Sequence, residues 1–491
     1  MPGRLHRVGR VPEDGGRTYP AHGGVPSEGG GRSREETRRR GAVDRPGRYL
    51  YLEVRPRTGP TRRNRGGDAR AGFPIGFCGS VAVGPVVKHP GANTRAPRAT
   101  HGAAARLTWK QVAAFRLSRH HLSERAPKGT LTSVVRDMTG PQAQVLSAAQ
   151  ISLWARVRDL RVEDVESALG RDRTLVKAWA MRRTLFLLPS EDLAIFVRGS
   201  ARRADKELRW VRGRGFSDRV IEGLIQATLD ALDRPITRRE LAERVSQALG
   251  TRMRASRHAG WGNRAKVPGV AVRGLTFPAG YLLHLAGARG VACSGPSRGN
   301  EPTFVRADAW IPGWRDVPRE QAEPELLRRY LRAFGPATPS DFSLWAGMTL
   351  GDAREIWARI AAEIVPVTVN GWEAAVLRDD LPQLERSPME RPPVRLLPYF
   401  DSFLLGHRER EHLVRTKDRG RVYRPQGWIA PVVLVEGRVA GVWAHASKGH
   451  RLRVRVTKLA TMPGRIRAGI HEEAQDLGRF LGYPNVDVRI A

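Results

Sequence analysis

Val162-Glu163-Asp164-Val165-Glu166-Ser167-Ala168-Leu169-Gly170, then Leu175-Val176-Lys177-Ala178-Trp179-Ala180-Met181, then Arg182-Arg183-Thr184-Leu185-Phe186-Leu187-Leu188-Pro189 is the stretch that decides the fold. Residues 162–169, Gly170 and residues 175–181 read as helix, turn, helix. Arg182-Arg183 leads into residues 184–188, an apolar run of strand character that Pro189 stops. A helix-turn-helix followed by strands is a winged helix. Upstream, 109–122 and 131–137 are helical by apolar spacing, and a further helix is expected from about Ala148.

The same order of elements returns twice. Thr237-Arg238-Arg239-Glu240 has the spacing of a capping box and opens a helix over 241–249. Residues 290–293 and 303–306 read as strands joined by Ser294-Gly295-Pro296-Ser297-Arg298-Gly299-Asn300. Thr338-Pro339-Ser340-Asp341 starts another helix, Gly347 breaks it, and a helix over 352–360 follows. Residues 365–369, Asn370-Gly371 and 372–377 make a hairpin with an Asn-Gly turn. One such unit says little, whereas three in one basic chain point to DNA, although winged helices also serve as protein-interaction modules. The last part changes character. Residues 428–435, 439–445 and 451–456 alternate and turn like a small antiparallel sheet or barrel, and 465–481 has helical spacing. The chain is therefore expected to be α+β. Three tandem winged-helix units span 107–200, 201–320 and 321–385, and a C-terminal antiparallel β-sheet or barrel region spans 386–491.

Lys and Arg number 84 against 49 Asp and Glu over 491 residues, a net charge of +35. Such a field favours polyanions, nucleic acid first among them. Residues 1–100 hold 20 basic and 8 acidic side chains, so +23 of the charge belongs to the remainder. That is a basic folded body, not only a basic arm. The arginine bias of a GC-rich genome is the bland source for part of it. Residues 1–100 also hold 19 Gly and 11 Pro, a composition of low complexity or disorder. Arg38-Arg39-Arg40 and Arg62-Arg63 there read either as weak nucleic-acid contacts or, the favoured reading, as upstream sequence translated from a start codon set too early. Order is expected from about Leu107, with 1–106 as an extension.

Two cysteines, Cys78 and Cys293, cannot make a zinc site, and nothing in their spacing supports a disulfide. The 13 histidines show no ligand spacing, and His120-His121 reads as a polar helix end. No metal and no other cofactor is expected, and no acidic cluster suggests a two-metal nuclease. Residues 71–87 are too short and too rich in Gly and Pro to span a membrane, and lie too far in for a signal peptide. A cytoplasmic, nucleoid-associated monomer with no membrane partner is expected.

Gly140-Pro141-Gln142-Ala143-Gln144-Val145-Leu146-Ser147-Ala148-Ala149-Gln150 carries the candidate chemistry. Ser147 and Gln150 have capping-box spacing, which starts a helix at about Ala148 and leaves the preceding residues extended. Side chains two apart in an extended segment point the same way. Gln142 and Gln144 would then face one spot beside the positive end of a helix dipole. A convergent amide pair there holds a water or a phosphate. The alternative is a polar turn whose amides satisfy neighbouring backbone groups.

These residues do not stand alone. With them go residues 179–189, 294–304, 334–342 and Leu397-Pro398-Tyr399-Phe400-Asp401-Ser402-Phe403-Leu404-Leu405-Gly406-His407-Arg408. Together, in this order and spacing, they resemble the winged-helix DNA glycosylase family typified by AlkZ, over residues 107–490. The resemblance implies removal of bulky alkylated purines and unhooking of interstrand crosslinks. In that family the catalytic signature is a Gln, an aliphatic residue, and a Gln or Asp. Here it falls on Gln142, Ala143 and Gln144, with an unusually small central residue. The resemblance thus implies a catalytic role for Gln142 and Gln144.

The chemistry agrees with that implication. Purine N-glycosidic cleavage passes through an oxocarbenium-like sugar. A purine alkylated at N7 or N3 is already cationic and leaves neutral without a general acid. Two amide oxygens can orient the attacking water and supply negative dipole, although neither is a useful base. Arg182 and Arg183 read as phosphate contacts, and Arg298, at the second hairpin tip, as a groove or backbone contact. Each is equally a solvated charge. Arg408 joins these DNA-facing candidates, or pairs internally with Asp401, the preferred reading. An open cleft suits bulky adducts better than full base flipping. The expected partner is double-stranded DNA containing alkylated purines. The rivals are a non-catalytic winged-helix transcriptional regulator and a protein-binding scaffold, the latter with little salt-dependent DNA affinity.

Overall fold

Threonines open helices by local hydrogen bonding, as Thr108 does with Gln111 for the helix Trp109–Arg119. Thr237, Thr338 and Thr349 each accept the N3 backbone N–H and donate their own backbone N–H to the side chains of Glu240, Asp341 and Asp352. Each box satisfies donors that a helix start leaves without an intrahelical partner. The boxes at Thr237 and Thr338 were legible in the spacing. The helices so started are Arg238–Ala248, Pro339–Ala346 and Leu350–Arg359, and Gly347, at φ 81°, ends the second of them. Strands Ile364–Val369 and Trp372–Leu377 pair antiparallel around Asn370-Gly371, at φ 46° and 85°, as a mirror-image two-residue turn requires.

The computed structural model describes residues 104–257, 266–287, 292–299, 301–386 and 393–491. The Gly/Pro/Arg-rich stretch up to residue 103, its arginine runs and Cys78 lie outside the described residues. Ala105–Leu107 forms a strand parallel to Ile364–Val369. Leu107, Val112 and Phe115 share a core with Val367, Val369 and Val376, so by packing the start of the helix Trp109–Arg119 sides with the hairpin of the third unit.

The first unit departs from expectation where its sequence is most apolar. Leu175–Trp179 is a strand, not a helix, and pairs antiparallel with Leu185–Pro189, Lys177 opposite Leu187. Four of its five residues are buried. A short run covered on both faces has no period to distinguish strand from helix. Arg182-Arg183 is therefore the turn of a hairpin, with both residues at positive φ, 55° and 58°. In the second unit, Ala292–Ser294 pairs with Thr303–Arg306 as expected. A meander of Met253–Arg257, Lys266–Val272 and Leu275–Pro278 precedes them and was not foreseen.

The C-terminal region is an open five-stranded sheet, not a barrel. Its order is Val394–Leu397, Val432–Val435, Arg438–Lys448, Arg451–Lys458, Asn485–Ile490. The last strand runs parallel to its neighbour, because the chain returns to it through the helix Gly464–Leu481. That helix covers one face, with Ile466, Ile470, Ala474 and Leu477 in one core with Leu396, Val433, Leu452 and Val456. A sheet so covered buries its apolar face without closing on itself.

The same core includes Val134, Ile151, Trp154 and Leu187, so the C-terminal sheet and the first unit are built on each other. A buried ion pair joins them. Arg156 donates to both carboxylate oxygens of Asp401, at 2.7 and 2.9 Å, and both side chains are fully buried. Ser152 Oγ and the Phe403 N–H also donate to that carboxylate, at 2.7 and 3.0 Å. The expected Asp401–Arg408 pair does not form. Arg408 is exposed, and its backbone N–H donates to Asp341 at 2.8 Å. A carboxylate carried into the core takes the cation that is buried beside it, and that is Arg156. Replacing Arg156 by Met strands a buried carboxylate and is expected to lower stability in urea by about 3–5 kcal/mol. The double replacement Arg156→Met/Asp401→Leu should recover much of that loss.

Candidate active site

Residues 141–144 run beside strand Leu185–Pro189 as an added edge. The Ala143 N–H donates to the Leu185 carbonyl (2.6 Å) and the Leu187 N–H to the Pro141 carbonyl (3.1 Å), which sets Gln142 opposite Phe186. Gly140 makes this approach possible. Its φ is 77°, and a Cβ there would lie 2.5 Å from the Leu187 carbonyl oxygen, so only glycine fits. Ser402 Oγ donates to the Gly140 carbonyl at 2.8 Å. Asp401-Ser402 thus holds the segment at both ends: Ser402 at Gly140, and Asp401 through Ser152 and Arg156 at the helix Leu146–Trp154 that follows.

The two glutamine amides dock on the turn of the neighbouring hairpin. Gln144 Oε1 accepts from the Leu185 N–H at 3.0 Å. Gln142 Oε1 accepts from Arg182 Nη2 at 3.4 Å. Backbone N–H and guanidinium groups only donate, so both amides must turn their oxygens, not their nitrogens, toward these partners. A carbonyl oxygen has two lone pairs, and one such bond leaves a second acceptor position. Gln142 is buried, Ala143 between the pair is fully buried, and Gln144 is half-buried. Satisfying a neighbour and holding a further group are therefore compatible.

The capping box expected at Ser147 and Gln150 does not form. The helix starts at Leu146, with Val145 as its cap residue and no side-chain cap bond. Ser147 lies inside the first turn, past the position from which a hydroxyl can cap. Gln150 is buried, with its Nε2 unpartnered. The positive end of the helix still falls two residues beyond Gln144.

Arg182 turns toward Gln142. Its Nη1 donates to the Trp345 carbonyl, and its guanidinium lies 5.6 Å from the centre of the Phe186 ring. Gly347 packs against its backbone, with a Cβ position 2.8 Å from Arg182 Cα. Gln142, Gln144 and Arg182 thus come together, while the other expected arginines have different surroundings. Arg183 lies near Tyr281, whose hydroxyl burial pushes up to about 12 against the opposing effect of Arg183 and Arg214. Arg298 pairs with Glu240 at 2.7 Å and donates to the Pro235 carbonyl. The Thr237 backbone N–H and then Arg298 hold the Glu240 carboxyl down at about 2. Arg408 is exposed near the start of helix Pro339–Ala346.

Sequence reasoning missed Ser402 and the Trp345 carbonyl, and read Gly347 only as a helix breaker; what these residues do here is done by tertiary contact, which leaves no local signature. On the neighbouring strand Leu175–Trp179, burial, and then Arg238, push the Lys177 ammonium below its ordinary value. Among the described residues, no group of three or more His, Cys, Asp or Glu could hold a metal ion. No helix among them is long and apolar enough to cross a membrane.

A mixed α+β body with its polar site on an edge segment can now be set beside known proteins. A family model described as DNA glycosylase AlkZ-like matches residues 135–480. The chain belongs to that AlkZ-like DNA glycosylase family. An interstrand DNA cross-link repair glycosylase from Streptomyces sahachiroi is 30% identical over 394 residues, covering 78% of this chain and 100% of that protein. The solved structure of Streptomyces sahachiroi DNA glycosylase AlkZ is similar with a TM-score of 0.66 at 28% identity, over 79% of this chain and 100% of that one.

Gly140→Ala should cost about 1–3 kcal/mol from its positive φ alone, and more from the clash with Leu187, measured by urea unfolding. Gly129→Ala, where a Cβ meets nothing within 4 Å, serves as the control and should leave the midpoint unchanged.

Proposed function

We propose that this protein is a monofunctional, metal-independent DNA glycosylase. Its substrates would be bulky or cationic N-alkylated purines in duplex DNA, whose N-glycosidic bond it hydrolyses in repair or in resistance to a genotoxin. The observation that carries this reading is the anchored segment of residues 140–144. Its two amide oxygens are fixed by Arg182 and by the Leu185 N–H, beside a helix N-terminus. The name of the Streptomyces sahachiroi relative, a cross-link repair glycosylase, supports extending the substrate range to interstrand crosslinks.

In this reading the alkylated purine departs with the bonding electron pair and becomes neutral as it leaves. The remaining acceptor positions on Gln142 and Gln144 orient a water toward C1′, and the amide dipoles favour the positive charge that develops on the sugar. The water oxygen bonds to C1′ and its proton passes to solvent. Neither amide has to act as a base, so the site suits leaving groups that are already activated and is feeble on ordinary bases. We read the three helix-and-hairpin units as winged helices that carry the duplex as a monomeric body, divided near residues 200, 320 and 385. The net charge of +35 supplies the attraction to phosphate.

The test is release of N7-alkylguanine from alkylated duplex DNA in EDTA, comparing wild type with Gln142→Ala/Gln144→Ala. The expected outcome is a loss of about 100-fold or more in the double variant, with duplex affinity retained. No release by wild type on simple, bulky or crosslinked adducts, together with tight salt-dependent binding, would establish the DNA-binding regulator instead.

A further inference from the structure

Arg182 places a full positive charge within reach of Gln142, in a site whose proposed reaction develops a cation on the sugar. Coulomb repulsion between like charges opposes that reaction. Yet the fold fixes the residue firmly. Its backbone sits at φ 55°, a conformation that costs energy outside glycine. Nη1 is tied to the Trp345 carbonyl. Gly347, itself at φ 81°, leaves space for the Arg182 backbone that any Cβ would fill. Trp345 and Gly347 lie at the C-terminal end of the helix Pro339–Ala346, whose negative dipole end offsets part of the guanidinium charge.

A fork anchored at one prong and muted in charge is suited to orienting a neighbour. We propose that Arg182 is a positioning residue for Gln142: Nη2 fixes Oε1, aims its remaining lone pair at the water, and ties the amide to the helix end of the third unit. This rests on the reading of Gln142 given above. It differs from a phosphate contact, in which Arg182 would act on DNA directly and independently of the glutamine.

A double-mutant cycle separates the two. Single-turnover release of N7-methylguanine from a duplex is measured for wild type, Arg182→Met, Arg182→Lys, Gln142→Ala and Arg182→Met/Gln142→Ala. Duplex affinity against salt and thermal unfolding are measured alongside. Arg182→Met is expected to slow release about 10–100-fold with an unchanged salt slope, and to have no further effect once Gln142 is Ala. Arg182→Lys should recover only part of the rate, since one ammonium does not reproduce a two-point planar grip. Multiplicative losses in the double variant, or a salt slope smaller by about one, would overturn the positioning role in favour of a phosphate contact. A slow Gln142→Ala enzyme beside an Arg182→Met enzyme of wild-type rate also overturns it, and leaves the glutamine reading intact. A Gln142→Ala enzyme as fast as wild type overturns the glutamine reading and this proposal with it.

Discussion

The ion pair between Arg156 and Asp401 is fully buried on both sides, and the site depends on it. Taking two charges out of water costs several kcal/mol for each ion, offset only when geometry is good and the remaining hydrogen-bonding positions are filled. Here the carboxylate receives both prongs of the guanidinium, a hydroxyl and a backbone N–H. An apolar pair of equal volume would pack as well but would not orient. By fixing Asp401, the pair sets the next residue, Ser402, against the Gly140 carbonyl, and by fixing Arg156 it sets the end of the helix that follows the glutamines.

The candidate site is assembled from three separate pieces of chain. The glutamine segment lies on a hairpin edge, the hairpin turn supplies Arg182, and a helix end from the third unit supplies the carbonyl that holds Arg182. No one piece could position the amides alone.

The large positive charge is distributed unevenly in its availability. Arg202, Arg319 and Arg359 all converge on Glu323, and Arg202 also reaches Asp352 and Glu355. Arg329 and Arg136 share Asp192. Arg202 and Arg329 tie together stretches more than 100 residues apart, and all five arginines have little left to offer a phosphate. Counting basic residues therefore identifies the class of partner, while the choice among individual arginines follows from the partners each already has.

The sequence by itself determined what is settled within a few residues. Thr237 and Thr338 cap helices because the Glu or Asp three residues on can return the bond. Gly347 and Asn370-Gly371 turn where positive φ is required, and the glutamine segment was legible as a pair beside a helix start. Tertiary structure decided the rest. Leu175–Trp179 became a strand because its partner Leu185–Pro189 was available, and its own apolar run carries no period. Asp401 chose Arg156, 245 residues away, over the nearby Arg408, and Arg182 turned to Gln142 across 40 residues and to Trp345 across 163. A short-range hydrogen bond is legible in spacing where the helix starts at the expected residue, as at Thr237 and Thr338 and not at Ser147. A buried polar group takes whichever partner is buried beside it, and only the packed core fixes which one that is.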